Sequence, residues 1–153
     1  FHSVLDAGYG HGDFTLKMAR HANLIIGFDN SIEMIKIGKA YLKETNISNL
    51  LFIDATTKQE FPFSDGQFDL IYDRRGPTSI INHSRILQSG GTIFGMHSGA
   101  LDIVKERLLN NSYKDIEIRE YNEAIIYFPN NNEFAKFISS TPVNPYYTQP
   151  EYM

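Results

Sequence analysis

Acidic side chains recur directly after short apolar runs. Asp6 follows Val4-Leu5, Asp29 follows Gly27-Phe28, Asp54 follows Phe52-Ile53 and Asp73 follows Ile71-Tyr72. Ligands of open α/β sheets lie beyond the carboxyl ends of the strands, so these carboxylates are expected along one ligand-binding edge. The first of them opens the turn Asp6-Ala7-Gly8-Tyr9-Gly10-His11-Gly12-Asp13. A dinucleotide site wants G-x-G-x-x-G, in which the third glycine lets helix and strand pack closely and the helix N-terminus faces a pyrophosphate. Gly8 and Gly10 fit that pattern, but Asp13 occupies the third position and the spacing is G-x-G-x-G. A carboxylate there opposes a phosphate, as do Asp6 and Asp73. The loop therefore suits a ligand that is cationic or neutral where the two meet.

S-adenosylmethionine meets that description, with a sulfonium, an ammonium, ribose hydroxyls and no phosphate. Val4-Leu5-Asp6-Ala7-Gly8-Tyr9-Gly10-His11-Gly12 resembles the first motif of class I S-adenosylmethionine-dependent methyltransferases, and Gly27-Phe28-Asp29-Asn30-Ser31-Ile32-Glu33-Met34 resembles their second-strand motif. Phe52-Ile53-Asp54-Ala55, followed by Phe61 to Ile71, is similar to the adenine-contacting segment and the approach to the fourth strand, in the manner of the type 11 methyltransferase-domain group. The resemblance runs in order from Val4 to Met96. It implies that Gly8 and Gly10 let the backbone approach the methionine portion without a Cβ in the way. It also implies that Asp29 accepts from both ribose hydroxyls, that Asp54 takes the adenine amino group, and that the N–H of Ala55 faces a ring nitrogen. Asp6 organises the loop and favours the ammonium, and Ala7, Tyr9, Asn30, Tyr72 and Asp73 complete the implied cofactor-binding set.

The acceptor side carries Asp73-Arg74-Arg75-Gly76-Pro77, where many amino-directed nucleic-acid methyltransferases have Asn or Asp, then Pro-Pro and an aromatic. That departure disfavours adenine and cytosine amino groups as acceptors. The chain has no Cys, which removes the covalent route to pyrimidine C5 together with disulfides and Cys-ligated zinc. Arg74 and Arg75 pair either with an acidic substrate or the cofactor carboxylate, or with Asp73 and Asp69. His97 is either a base near neutral pH or a hydrogen-bonded strand-end histidine. His2, His11, His21, His83 and Tyr9 show no ligand spacing, so no metal is assigned, and no catalytic residue is assigned either. Met96 stands where a nucleophile elbow centred on Ser98 needs Gly.

Fourteen basic and eighteen acidic residues leave a net charge of -4, with no Lys/Arg tract for sequence-independent nucleic-acid binding. A small-molecule acceptor is therefore the first expectation and a base in structured RNA the second. The rivals are a non-catalytic S-adenosylmethionine-binding module and a nucleotide-dependent oxidoreductase, the latter disfavoured by Asp13. No apolar run approaches the roughly 20 residues that span a bilayer, and a cytoplasmic protein without membrane association is expected.

The elements that must position these residues follow from the periodicity. Strand patterns cover Ser3 to Ala7, Leu24 to Phe28, Leu50 to Ile53, Phe68 to Tyr72 and Thr92 to Met96; helical spacing covers Asp13 to His21, Ser31 to Glu44, Thr78 to Leu87 and Ala100 to Asn110. Asn30 is the expected cap of the second helix, with Glu33 reaching back to it. Ile32, Ile35 and Leu42 are expected to share its buried face. Ile116, Ile118 and Ala124 to Phe128 suggest two antiparallel strands around Tyr121-Asn122, followed by a helix from Asn132 to Ser139. The expected fold class is α/β, a Rossmann-like three-layer sandwich with a mostly parallel sheet and a C-terminal antiparallel hairpin. Leu, Ile, Val and Phe make up 43 of the 153 residues, enough apolar material for one packed core. A single methyltransferase core domain over residues 1–153 is expected, truncated before Phe1, which precedes the first strand by two residues, with a second truncation at the C-terminal end suggested by the Pro- and Tyr-rich stretch from Thr141 to Met153.

Overall fold

Alternating apolar residues give the central strands two buried faces, which is the condition for a parallel sheet covered on both sides. In the computed structural model, which describes residues 1–99, 101–121, 123 and 125–140, β1 (Ser3–Ala7), β2 (Leu24–Asp29), β3 (Leu50–Asp54), β4 (Phe68–Arg74) and β5 (Leu87–Met96) pair in the order β3-β2-β1-β4-β5. Every pairing is parallel, so all the carboxyl ends share one edge. The chain runs outward from β1 to β3 and then returns to the other side of β1, which puts the reversal of strand order between β1 and β4.

Helices cover both faces. Leu5, Ala7, Ile26, Phe28 and Ile71 face one core with Phe61, Ile80, Ile86 and Val104. Val4, Ile25, Phe52, Leu70 and Tyr72 face the other with Tyr9 and Ile35. On that second side lie α1 (Asp13–Met18), extended by a 3-10 turn at Ala19–His21, and α2 (Ile32–Lys43). Packing of α2 depends on small residues: Tyr9 stacks on Phe52 with ring centroids 4.3 Å apart, and Gly27 and Gly38 are the surfaces that this aromatic pair rests against.

Several boundaries differ from the sequence reading for identifiable reasons. The cap of α2 is Ser31, whose side chain accepts from the Met34 N–H, and not Asn30, because the Asp29 carboxylate holds the Ser31 N–H and starts the helix one residue later. Ile32 consequently lies on the exposed side, leaving Ile35 and Gly38 as the buried face. Thr78–Ile86 is a 3-10 segment with a non-helical residue at His83. There Arg85 donates to the carbonyls of Phe61 and Phe63 while its own carbonyl accepts from Gly66, and these tertiary bonds replace a regular helical ladder. It leads directly into β5, and α3 covers Leu101–Asn110.

Contacts divide the chain into two compact units, Phe1–Ile116 and Glu117–Met153. The second contains α4 (Asn131–Ser139), capped by Asn130, with Phe128 packed edge-on against Phe134. The expected antiparallel hairpin is not observed: the described residues between Ile116 and Phe128 lie in no strand, and Asn122 and Ala124 fall outside the described residues. Ile125, Ile126 and Tyr127 are exposed, so this apolar run buries no face among the described residues. Among the described residues no helix is long and apolar enough to cross a membrane.

Gly38→Ala tests the aromatic seat of α2. Alanine gains about 1 kcal/mol of helix propensity, but its Cβ would lie 2.8 Å from Tyr9 Cε2 and 3.2 Å from Phe52 Cδ2. Overpacking of this kind costs about 1–3 kcal/mol, so the urea midpoint is expected to fall; a higher midpoint would show that the Tyr9–Phe52 pair yields without cost.

Candidate functional site

Between β1 and α1 the backbone must turn sharply, and glycine permits it. Gly8 has φ +74, and a Cβ there would lie 2.9 Å from Pro77 Cδ, so the loops after β1 and β4 touch at this point. Gly10 has φ +63 with nothing within 4 Å of a Cβ position, which leaves its backbone open to the space above. The amides of Gly8 and Tyr9 both donate to the Phe28 carbonyl, at 2.9 and 3.2 Å, and anchor the turn to β2.

Asp29 then fixes the turn from the β2 side. Its Oδ2 accepts the Gly10 N–H at 3.0 Å and its Oδ1 accepts the Ser31 N–H at 2.9 Å. A carboxylate has about four lone-pair sites, so both oxygens keep capacity for further donors. The Asp29 carbonyl accepts the Ala55 N–H at 3.1 Å, the amide expected to face a ring nitrogen. Asp54 lies beside Asp29 in register at the end of β3, and its side chain is exposed.

Asp6 is turned into the protein. Its Oδ2 accepts from the Thr15 hydroxyl and from the Tyr72 hydroxyl, both at 2.7 Å, joining α1 to β4 across β1. Burial pushes its carboxyl up from an ordinary 3.8 to about 6, against the opposing effect of those two hydrogen bonds. Burial likewise raises the Asp73 carboxyl, whose Oδ1 accepts the Gly76 N–H. Asp73 Oδ2 lies 3.8 Å from His97 Nδ1 and has no hydrogen-bond partner.

A cavity of about 1210 Å³ lies over the carboxyl ends of the strands. Of the residues expected at a cofactor, Gly8, Tyr9, Gly10, Asp29, Asn30 and Ala55 line it, whereas Asp6, Ala7, Asp54, Tyr72 and Asp73 are not among its walls. The Tyr9 ring is packed on Phe52, and its hydroxyl is buried without a partner.

The walls also carry charges that the strand-end acids did not foretell. Lys17, Lys58, Arg74 and Arg75 line the cavity against Asp13 and Asp29, which corrects the expectation of an acidic edge opposed to anions. Asp6 accepts from Thr15 and Tyr72 through Oδ2, and Asp73 from Gly76 through Oδ1. Neither Arg74 nor Arg75 forms an ion pair with Asp73 or Asp69 among the described residues. Asp69 takes the amides of His2 and Ser3, and the Arg74 guanidinium carbon lies 3.8 Å from the Phe14 ring centroid. Helical phase could have revealed Lys17, since Phe14 and Lys17 are three apart and share a face of α1. Lys58 sits in a loop without any period to expose it. Among the described residues no group of three or more His, Cys, Asp or Glu could hold a metal ion.

The family profile described as "Methyltransferase domain" matches residues 4–91. The ubiquinone/menaquinone biosynthesis C-methyltransferase UbiE of Geobacter sp. (strain M21) is 30% identical over 100 residues, which are 59% of this chain and 43% of that protein. The uncharacterized methyltransferase YcgJ of Bacillus subtilis (strain 168) is 33% identical over 70 residues, 46% of this chain and 27% of that protein. The crystal structure of YcgJ has the same fold, with a TM-score of 0.58 at 24% identity over 69% of this chain and 48% of that one. A functionally unknown protein from Deinococcus radiodurans R1 gives a TM-score of 0.58 at 30% identity, covering 70% of this chain and 50% of its own. The chain spans less than half the length of the curated relatives it matches.

The buried Asp6 carboxyl generates a pH prediction. Its value of about 6 against an ordinary 3.8 means that the folded state holds the proton more tightly than the unfolded chain. The stability tied to this group is therefore full below about pH 4 and is lost as pH rises through about 6, by roughly 3 kcal/mol at most. Asp6→Asn does not titrate. In urea unfolding between about pH 4 and about pH 7.5 the variant is expected to gain on the wild type across that window; a stability difference independent of pH would contradict the raised carboxyl.

Proposed function

The chain belongs to the methyltransferase-domain family, and from that premise we propose that it binds S-adenosylmethionine over the strand ends and transfers its methyl group to a small-molecule acceptor. The observation that carries the reading is the Asp29 carboxylate, held between the Gly10 and Ser31 amides on the wall of the cavity.

The residues present fit such a ligand. Gly10 offers backbone without a Cβ, in open space. Asp29 keeps lone pairs for two ribose hydroxyls. Ala55, Thr56 and Thr57, on the cavity wall past the neighbouring strand end, are the adenine side of this reading; the Ala55 N–H is spent on the Asp29 carbonyl and does not face a ring nitrogen, and Asp54 lies off the wall. When bound, S-adenosylmethionine supplies a methyl on a sulfonium, an electrophile with a neutral thioether as its leaving group. The chain's own task is then positioning: a rigid glycine turn and a clamped carboxylate fix the donor so that an acceptor held opposite lies in line, an arrangement that needs no dedicated acid or base.

Several observations support a small acceptor. The cavity is large enough for a cofactor and a second small molecule, the chain as a whole is acidic, and UbiE, to which it is similar, is named for a C-methylation in quinone biosynthesis. A single catalytic core in the cytoplasm belongs to the same proposal.

Titration calorimetry with S-adenosylhomocysteine tests the reading. The wild type is expected to bind, Asp29→Ala to weaken binding by about 1.5–3 kcal/mol and Asp29→Asn to recover part of the loss, with folding of each variant checked by circular dichroism. Unchanged affinity in a folded alanine variant, or binding of NAD instead, would overturn it. Gel-shift binding to structured RNA that collapses between low and physiological salt would move the acceptor from a small molecule to RNA.

A further inference from the structure

The cavity wall at the ends of β4 and α1 holds positive charge that the protein leaves unpaired. Arg74 closes β4 with its guanidinium over the Phe14 ring, and its Nε is buried without a hydrogen-bond partner. Lys17 lies on the same face of α1 as Phe14, three residues on. Arg75 follows Arg74 at φ 63, a left-handed conformation that is strained for a residue with a long side chain, and its amide donates to the Met96 carbonyl at 3.0 Å. Strain of this kind persists where the surroundings hold it, and it is enriched at ligand sites. Among the described residues none of these three cations forms an ion pair. The acids around them are Asp13 on the same wall, the buried Asp6, which is bonded to Thr15 and Tyr72 and feels the Arg74 charge, and Asp73, which is bonded to the Gly76 amide; none of them hydrogen-bonds the cations.

We propose that Arg74, Arg75 and Lys17 form a subsite for an anionic group of the acceptor, a carboxylate or a phosphate on a small organic molecule; the inference rests on the methyltransferase reading above. Asp29 ends β2 and Arg74 ends β4, with β1 between them, so the two lie about 10 Å apart at ordinary strand spacing. The cations are thus on the far side of the glycine turn from the ribose clamp. The amino-acid end of S-adenosylmethionine is a zwitterion whose carboxylate is matched by its own ammonium, and one guanidinium edge suffices for it. A net-negative acceptor gives the remaining donors a partner. Guanidinium edges suit bidentate contact with carboxylate or phosphate, and with Phe14 against one face of Arg74 the edge stays free to donate. Phe14, Pro77 and Met96 line the same end of the cavity and give the body of the acceptor an apolar surface.

The test titrates benzoate and, separately, inorganic phosphate into protein saturated with S-adenosylhomocysteine, for the wild type, Arg74→Gln and Lys17→Gln. At least one anion is expected to bind the wild type and to bind each variant about tenfold more weakly, while affinity for S-adenosylhomocysteine stays within about twofold. Which probe binds tells carboxylate from phosphate. Lys17 is exposed, so Lys17→Gln decides alone if Arg74→Gln does not fold. Absence of anion binding to the wild type, or equal binding in both variants, would overturn the subsite. So would a tenfold loss of S-adenosylhomocysteine affinity in Arg74→Gln with 5′-methylthioadenosine affinity unchanged, because the guanidinium would then serve the cofactor carboxylate. A wild type that binds anion but not S-adenosylhomocysteine would overturn the methyltransferase reading and the acceptor role with it.

Discussion

One residue ties three segments together at the carboxyl edge of the sheet. The Asp29 side chain holds the Gly10 amide on one oxygen and the Ser31 amide on the other, while its carbonyl takes the Ala55 amide. The turn after β1, the start of α2 and the end of β3 are therefore set relative to a single carboxylate. Groups fixed before a ligand arrives do not have to be ordered by it, which is where affinity from a limited number of contacts comes from. The turn has little freedom left, because the Gly8 and Tyr9 amides are bonded to Phe28 and Gly8 abuts Pro77.

Beneath that edge a second carboxylate does a different job. Asp6 binds the hydroxyls of Thr15 and Tyr72 in a buried layer, where burial disfavours its charge and raises the carboxyl. What it secures is the seat of α1 on β4. Phe14, next to Thr15, lies edge-on to Tyr72 and under the Arg74 guanidinium. A buried polar triad thereby sets where a cation meets the cavity, and the acidic layer and the basic wall form one construction.

The sheet was legible because its physics is local to each strand. β1 matches its expected bounds, Ser3–Ala7, since all five residues are buried and no polar break blurs the ends. That Asp29 ends a strand at the cavity edge was legible from the apolar run before it. Less readable was what each strand-end carboxylate meets. Asp6 is in register with Gly27, two residues short of Asp29 on the same face, and so meets Thr15 and Tyr72 in the buried layer, whereas Asp29 reaches the cavity. Asp73 is in register with Ala7, on the opposite face from Asp6. The cap of α2 turned on a tertiary bond to Asp29 that chooses between two adjacent residues, both able to cap. Lys17, Lys58 and the Arg74–Phe14 contact come from separate elements and form no contiguous motif, and the apolar run at Ile125 to Phe128 reads as a strand, although its described residues pair with no strand.

In the proposed function the Asp29 clamp holds the nucleoside of S-adenosylmethionine. The most direct measurement of this is the amide spectrum of ¹⁵N-labelled protein titrated with S-adenosylhomocysteine. Saturable shifts centred on Gly10, Asp29, Ser31 and Ala55 are expected, with the residues around Glu60 and Arg85 unmoved. Saturable shifts elsewhere that leave Gly10 and Ser31 in place would contradict the account.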